Sequence, residues 1–277
     1  MTFPRFFGLP VTTNLFVTTS REDFTPEAAT PFVEDESGVT AEQRFAPSPR
    51  MAVTYGYDYS RSHIFGPTPL EGIPPLELRA NIARLTSTYA WDSRSDPFNP
   101  RDGWFHSSGV ELGAKTLGSD LRFVRYLAQQ HYYRTVRRRL VLASALRIGL
   151  GRGFDQDLIP SERFYAGGGT TVRGFAEDGL GASDFFGDPT GGNSMLILNQ
   201  EARFSLFGWV EGVAFADAGN VFPKVRDFSL TNLEAGAGAG LRINSPFALV
   251  RIDFGVPLTD RRRQPSGRWY FGIGQSF

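Results

Sequence analysis

Leu233-Glu234-Ala235-Gly236-Ala237-Gly238-Ala239-Gly240-Leu241-Arg242 alternates without a break. Leu and Ala take one face of an extended chain, and Glu, Gly and Arg take the other. Side chains of a strand point to opposite faces with period two, so this is a strand with one apolar face and one small or charged face. Val250 to Val256 repeats the pattern: Val250, Ile252, Phe254 and Val256 lie opposite Arg251, Asp253 and Gly255. From Met195 to Leu206, Leu196, Leu198, Ala202, Phe204 and Leu206 oppose Asn199, Glu201, Arg203 and Ser205. From Arg137 to Gly149, Leu140, Leu142, Leu146 and Ile148 oppose Arg137, Arg139 and Arg147.

A soluble β-sandwich shows the same alternation, but three features favour a membrane barrel. The segments run about 10–13 residues, close to a tilted membrane strand rather than the usual globular length. Their second faces are charged (Arg251/Asp253, Glu234/Arg242, Glu201/Arg203), as in a wall between lipid and a wet lumen. Long connections at 21–38, 63–78, 151–193, 218–231 and 258–266 alternate with short turns at 47–49, 135–136, 207 and 244–245. The expectation is an all-β, transmembrane antiparallel β-barrel of about twelve strands that forms one domain over residues 1–277. Long loops would line one rim and both termini the periplasmic rim. Trp91, Trp104, Phe105, Phe207, Trp209, Trp269 and Tyr270 are candidates for interfacial aromatic girdles. Arg122, Arg125, Arg134, Arg137, Arg138 and Arg139 read as a basic group around a short turn, either a plain rim or a contact for anionic lipid head groups.

Composition narrows the classes. With 29 basic and 29 acidic residues there is no electrostatic case for nucleic acid. The absence of cysteine excludes disulfides and thiolate metal sites. Met1 to Pro10 lacks the pattern of a signal peptide, so an exported protein would have lost it. His63, His106 and His131 have no metal-ligand spacing. Gly167-Gly168-Gly169-Thr170-Thr171 lacks the Gly-Lys-Ser/Thr of a phosphate loop. No nucleophile–base pair is visible. The reading is no enzyme, no cofactor and no metal.

The 151–193 insertion contains Phe164-Tyr165-Ala166-Gly167-Gly168-Gly169-Thr170-Thr171-Val172-Arg173-Gly174-Phe175, which has no period of its own. Two strands follow that direct Glu201 and Asp217 away from lipid. An arginine on a long loop facing acids on neighbouring walls is a latch geometry, which needs a lumen wide enough to hold the loop. A guanidinium can bridge two carboxylates with directed bonds that lysine cannot reproduce. Gly236, Gly238 and Gly240 would make room for the loop.

Phe164 to Gly168, Thr171 to Phe175, Gly191-Gly192-Asn193 and Phe215-Ala216-Asp217-Ala218-Gly219 resemble the BamA/TamA superfamily of outer-membrane assembly and translocation barrels. Asp92-Ser93-Arg94, Gly103-Trp104, Leu117 to Asp120, Gly240-Leu241-Arg242, Arg251 to Gly255 and Ile273 to Phe277 resemble the same surface-antigen barrel domain in the same order. The resemblance implies a loop latch of Val172, Arg173, Gly174 and Phe175 whose partners are Glu201 and Asp217, with Phe215 beside them. It also implies a C-terminal aromatic signal in which Trp269, Phe271, Ile273 and Phe277 share a face. The family's barrel has about sixteen strands, so the chain is expected to be a fragment or a short member without periplasmic repeat domains.

The expected location is the bacterial outer membrane. The expected function is assembly or translocation through a lateral seam with local membrane perturbation, and the alternative is a passive pore or structural barrel. Membrane lipids, outer-membrane or exported polypeptides and a separate periplasmic protein are the expected partners. Direct pairing of residues 10–20 with 267–277 is the first expectation for the seam. An imperfect seam and a homodimer through barrel edges are the alternatives.

Overall fold

The computed structural model describes residues 2–3, 11–24, 32–66, 77–137, 139–184, 187, 189–245, 248–259 and 267–277. Much of the expected connections at 63–78 and 258–266, the centre of 21–38, and Arg138 lie outside the described residues. One antiparallel sheet in sequence order holds β1 (Thr2–Phe3), β2 (Val11–Phe24), β3 (Phe32–Ser48), β4 (Met51–Phe65), β5 (Glu77–Asp92) and β6 (Gly103–Gly113). It continues through β7 (Phe123–Arg137), β8 (Leu140–Gly153), β9 (Ser194–Phe207), β10 (Val210–Phe222), β11 (Glu234–Asn244), β12 (Leu249–Pro257) and β13 (Arg268–Ile273). The twelve strands from β2 to β13 form the barrel wall.

Alternation decides the two faces. Leu142, Phe204, Leu206, Leu241, Trp269, Phe271 and Ile273 are exposed outward, while Glu201, Arg203, Asp217, Arg242 and Asp253 are buried on the inner face. Polar groups on the outer face pair sideways: Ser144 bonds Gln200 at 2.7 Å, and Ser108 bonds Tyr126 at 3.2 Å. Such pairing lowers the cost of exposing them to hydrocarbon.

Several expectations need correction. The 21–38 connection is mostly strand, because β2 reaches Phe24 and β3 starts at Phe32. There the ladder continues with charged residues such as Arg21 and Asp35, 3.6 Å apart. With both faces wet, an apolar period is absent even though the backbone still pairs. Of the adjacent pairs Trp104–Phe105 and Trp269–Tyr270, one member must point inward. Phe105 lies against His131 at 5.3 Å, and Tyr270 bonds the inserted loop, so neither belongs to a girdle. The basic group also divides. Arg122 pairs Asp155 and Arg125 pairs Glu162 at the far end of β7 from Arg134, Arg137 and Arg139.

The largest correction concerns the chain's final residues. β13 stops at Ile273, and Gly274 adopts φ +91°, a left-handed conformation that favours glycine. The tail turns into the lumen. Phe277 stacks on Tyr133 with centroids 6.4 Å apart and accepts a 3.0 Å bond from its hydroxyl. Phe277 therefore leaves the outer face shared by Trp269, Phe271 and Ile273. Gln275 meets Asn99 at 3.0 Å, so the 93–102 turn and the tail together floor the short-turn end of the lumen.

The expected direct closure is absent among the described residues: β13 pairs only with β12, and β2 pairs only with β1 and β3. Among the described residues the barrel's seam is unjoined. The chain has no cysteine of its own, so engineered pairs report cleanly. F254C with W269C, on neighbouring strands with rings 4.9 Å apart, should form an intrachain disulfide on oxidation. V17C with F271C should not. A non-reducing gel reads both, and an efficient second crosslink would mean the seam is closed.

Candidate functional site: a charged latch in the lumen

The segment between β8 and β9 folds into the lumen as two anchors joined by glycine-rich chain. At the first, Leu158 joins Ala80, Ile82, Leu121 and Phe123 in an apolar cluster, with Ile159 packed against it. The adjoining short turn, Pro160–Glu162, buries Glu162 between Arg84 at 3.1 Å and Arg125 at 2.9 Å. Glu111 takes the same two arginines at 3.4 and 3.0 Å. Burial pushes the Glu162 carboxyl above the usual carboxylate range, against the pull of Arg84 and Arg125.

At the second anchor, Val172-Arg173-Gly174-Phe175 divides its side chains between two environments. Val172 and Phe175 enter an apolar cluster with Phe164, Ala166, Leu180, Met195, Ile197 and Val221. Arg173, 1% exposed, turns to the wall. Its Nε donates to Asp217 Oδ2 at 2.7 Å and its Nη2 to Asp217 Oδ1 at 2.9 Å, a two-pronged fork. Its backbone N–H adds a 3.1 Å bond to the same carboxylate. Nη1 donates to Glu201 at 2.6 Å and to Asp253 at 3.2 Å. The Phe215 ring lies 3.5 Å from the guanidinium carbon, a cation–π contact.

Glycines on the wall set how closely the loop can approach. A Cβ on Gly236 would lie 1.9 Å from the Arg173 carbonyl oxygen, and one on Gly238 would lie 2.6 Å from the Phe215 ring. Gly174 has φ +105°, and a Cβ there would meet the backbone of Val256 at 2.8 Å. The wall is smooth where the loop backbone rests.

The network extends past the residues singled out in the sequence. Arg242 bonds Asp253 and reaches Glu201 at 3.3 Å, while Arg203 donates to Glu201 at 2.8 Å. Asn199 bonds Asp217 at 2.8 Å and the loop carbonyl of Thr171 at 2.6 Å. Arg173, Arg203 and Arg242 thus face Glu201, Asp217 and Asp253, and a fourth buried arginine, Arg251, lies 3.9 Å from Asp253, so most of the buried charge is offset within the cluster. Two contacts tie this cluster to the seam. Tyr270 of β13 donates to the Phe175 carbonyl at 2.6 Å and accepts from the Gly174 N–H at 2.9 Å. Ser276 donates to Glu201 at 2.7 Å. Inner-face parity already marked Arg203, Arg242 and Asp253. No sequence signal marked Tyr270, Ser276 or Glu162 as partners of the loop.

A seamed antiparallel barrel with a lumen loop latched by arginine is an outer-membrane barrel of a particular class. The whole chain, residues 1–277, matches the model described as the Omp85 superfamily domain, and the chain belongs to that superfamily. Outer envelope protein 80 of Arabidopsis thaliana, a chloroplastic protein, is 30% identical over 125 residues, which are 42% of this chain and 15% of that protein. Its counterpart from Oryza sativa subsp. japonica is 28% identical over 202 residues, 70% of this chain and 27% of the relative. The chain therefore spans less than a third of either plant protein. BamA from Haemophilus ducreyi lacking POTRA domains 1–3 superposes with a TM-score of 0.84 at 17% identity, over 99% of this chain and 60% of that one. CdiB from Acinetobacter baumannii superposes with a TM-score of 0.58 at 16% identity, over 95% and 46%.

Arg173→Ala leaves buried carboxylates without their main partner and should cost about 3–5 kcal/mol. Arg173→Lys keeps the charge, loses the fork on Asp217 and should fall between wild type and Ala. Thermal unfolding in detergent micelles ranks the three, and equal melting temperatures would show that the cluster contributes nothing. Gly236→Ala should unseat the loop while leaving Arg173 chemically intact. Limited proteolysis within 163–180 should then rise at least several-fold over wild type, and unchanged resistance would contradict the tight approach.

Proposed function

We propose that this chain is the membrane-embedded part of a bacterial outer-membrane factor that helps a polypeptide enter or cross the membrane. One observation carries the reading. Among the described residues β13 has no partner on its outer edge and β2 has there only the two-residue pairing with β1, and the latched loop is bonded to β13 itself through Tyr270. Unpaired N–H and C=O groups in hydrocarbon cost several kcal/mol each, so such an edge is a template for an incoming strand. Kinship with BamA, CdiB and outer envelope protein 80 supports the same reading. The work would be done by backbone pairing and local membrane perturbation, without covalent chemistry or a cofactor. Polypeptides of the outer membrane or beyond it are the clients, and a separate periplasmic protein delivers them. A passive pore fits less well, since the loop and the tail occupy the lumen along β7 to β13.

The test is insertion of an unfolded eight-stranded barrel into liposomes that hold the purified chain. Acceleration over empty liposomes supports the proposal, and none would refute it for this chain alone. Orientation is tested separately. In intact cells, S229C on the long-loop rim should label with an impermeant maleimide, and S245C on the short-turn rim should label only after permeabilisation. The reverse pattern would invert the barrel.

A further inference from the structure

We propose that the β7–β8 turn is a binding site for the head groups of anionic glycerophospholipids. Arg134, Arg137 and Arg139 are all exposed around this one turn. None has a carboxylate within 4.0 Å among the described residues. Three exposed arginines near the opposite rim differ in this respect: Arg79 pairs Glu77 at 2.7 Å, Arg122 pairs Asp155 at 3.0 Å, and Arg226 lies 3.7 Å from Asp227. Arg61, Arg152 and Arg268 there have no such partner among the described residues, but they stand on three separate strands rather than around one turn. The nearby acid, Asp102, is held by the Thr135 N–H at 2.9 Å and hydroxyl at 2.8 Å, and it feels Arg134 through longer-range charge without a direct ion pair.

Aromatic residues set the depth of the site. Tyr132, on the same face of β7 as Arg134, packs against Trp104 with centroids 4.2 Å apart. The neighbouring β9–β10 turn exposes Phe207 and Trp209, and the Ser205 N–H bonds the Arg139 carbonyl at 3.1 Å, which places the two turns side by side. Trp and Tyr settle at the level of lipid head groups. Guanidiniums free at that level can each take a phosphodiester with two parallel bonds. The occupant is a two-tailed lipid such as phosphatidylglycerol. Lipid A is set aside because the short-turn rim faces the inner leaflet in the orientation proposed above, on which this choice of lipid rests.

Native mass spectrometry of the detergent-purified chain, titrated with phosphatidylglycerol, phosphatidylcholine or lipid A, tests the site without reference to orientation or insertion activity. Phosphatidylglycerol should bind wild type at least tenfold more tightly than phosphatidylcholine. R134Q/R137Q/R139Q should weaken it by roughly fivefold per arginine removed, and R226Q at the other rim should not. Raising salt to 0.5 M before transfer should release the lipid from wild type, which checks the site even if the triple variant folds poorly. Equal binding of the two phospholipids, a triple variant that binds like wild type, salt-insensitive binding, or preference for lipid A would each overturn the proposal.

Discussion

The structure depends on neutralising one guanidinium in a place water does not reach. Arg173 is carried into the lumen by a loop that has no regular structure to hold it there. An ionised group so buried is tolerable only with matched charge and bonds for every donor. Asp217 supplies the fork, Glu201 and Asp253 the rest of the charge, and Phe215 covers the planar face. The demand then spreads. Three further arginines, Arg203, Arg242 and Arg251, share the three carboxylates, and β9 to β12 must hold a register that keeps all of them on one level.

The same demand explains the composition of the wall. Six of the 11 residues of β11 are Ala or Gly, in an unbroken run from Ala235 to Gly240, which is poor for strand stability. It tolerates this because the inner glycines admit the loop backbone and the Phe215 ring, and burial of the loop supplies the packing the strand itself lacks. Glu162 pins the other end of the loop to Arg84 and Arg125. The insertion therefore acts as a brace between the β5–β7 wall and the β9–β13 wall, in a barrel whose first and last strands do not pair with each other among the described residues.

Much of this was legible in the sequence, and the parts that were not have physical reasons. Period two marked the strands from β8 to β12 and sorted Glu201, Arg203, Arg242 and Asp253 to the inner face. It could not say that Asp253 meets Arg173, because that contact depends on the register of two hairpins and on the depth of the loop. The extensions of β2 and β3 stayed hidden because their ladders run through charged residues with no apolar face. The inward course of Phe277 turns on one backbone torsion at Gly274, and glycine permits that torsion without announcing it. Tyr270 read as a girdle residue beside Trp269, although adjacent strand residues must face opposite ways.

The separations along the chain add a temporal meaning to the latch. The residues Arg173 bonds lie 28, 44 and 80 positions downstream, and the tyrosine that holds Gly174 lies 96 positions away. The first anchor meets strands that precede it, but no local contact can seat Arg173 early. Until β9, β10 and β12 have assembled, the guanidinium has no counter-ion and must stay hydrated, so seating is among the late events of a slow, non-local folding reaction. A seated loop is thus a molecular record that the downstream wall has been completed in the correct register.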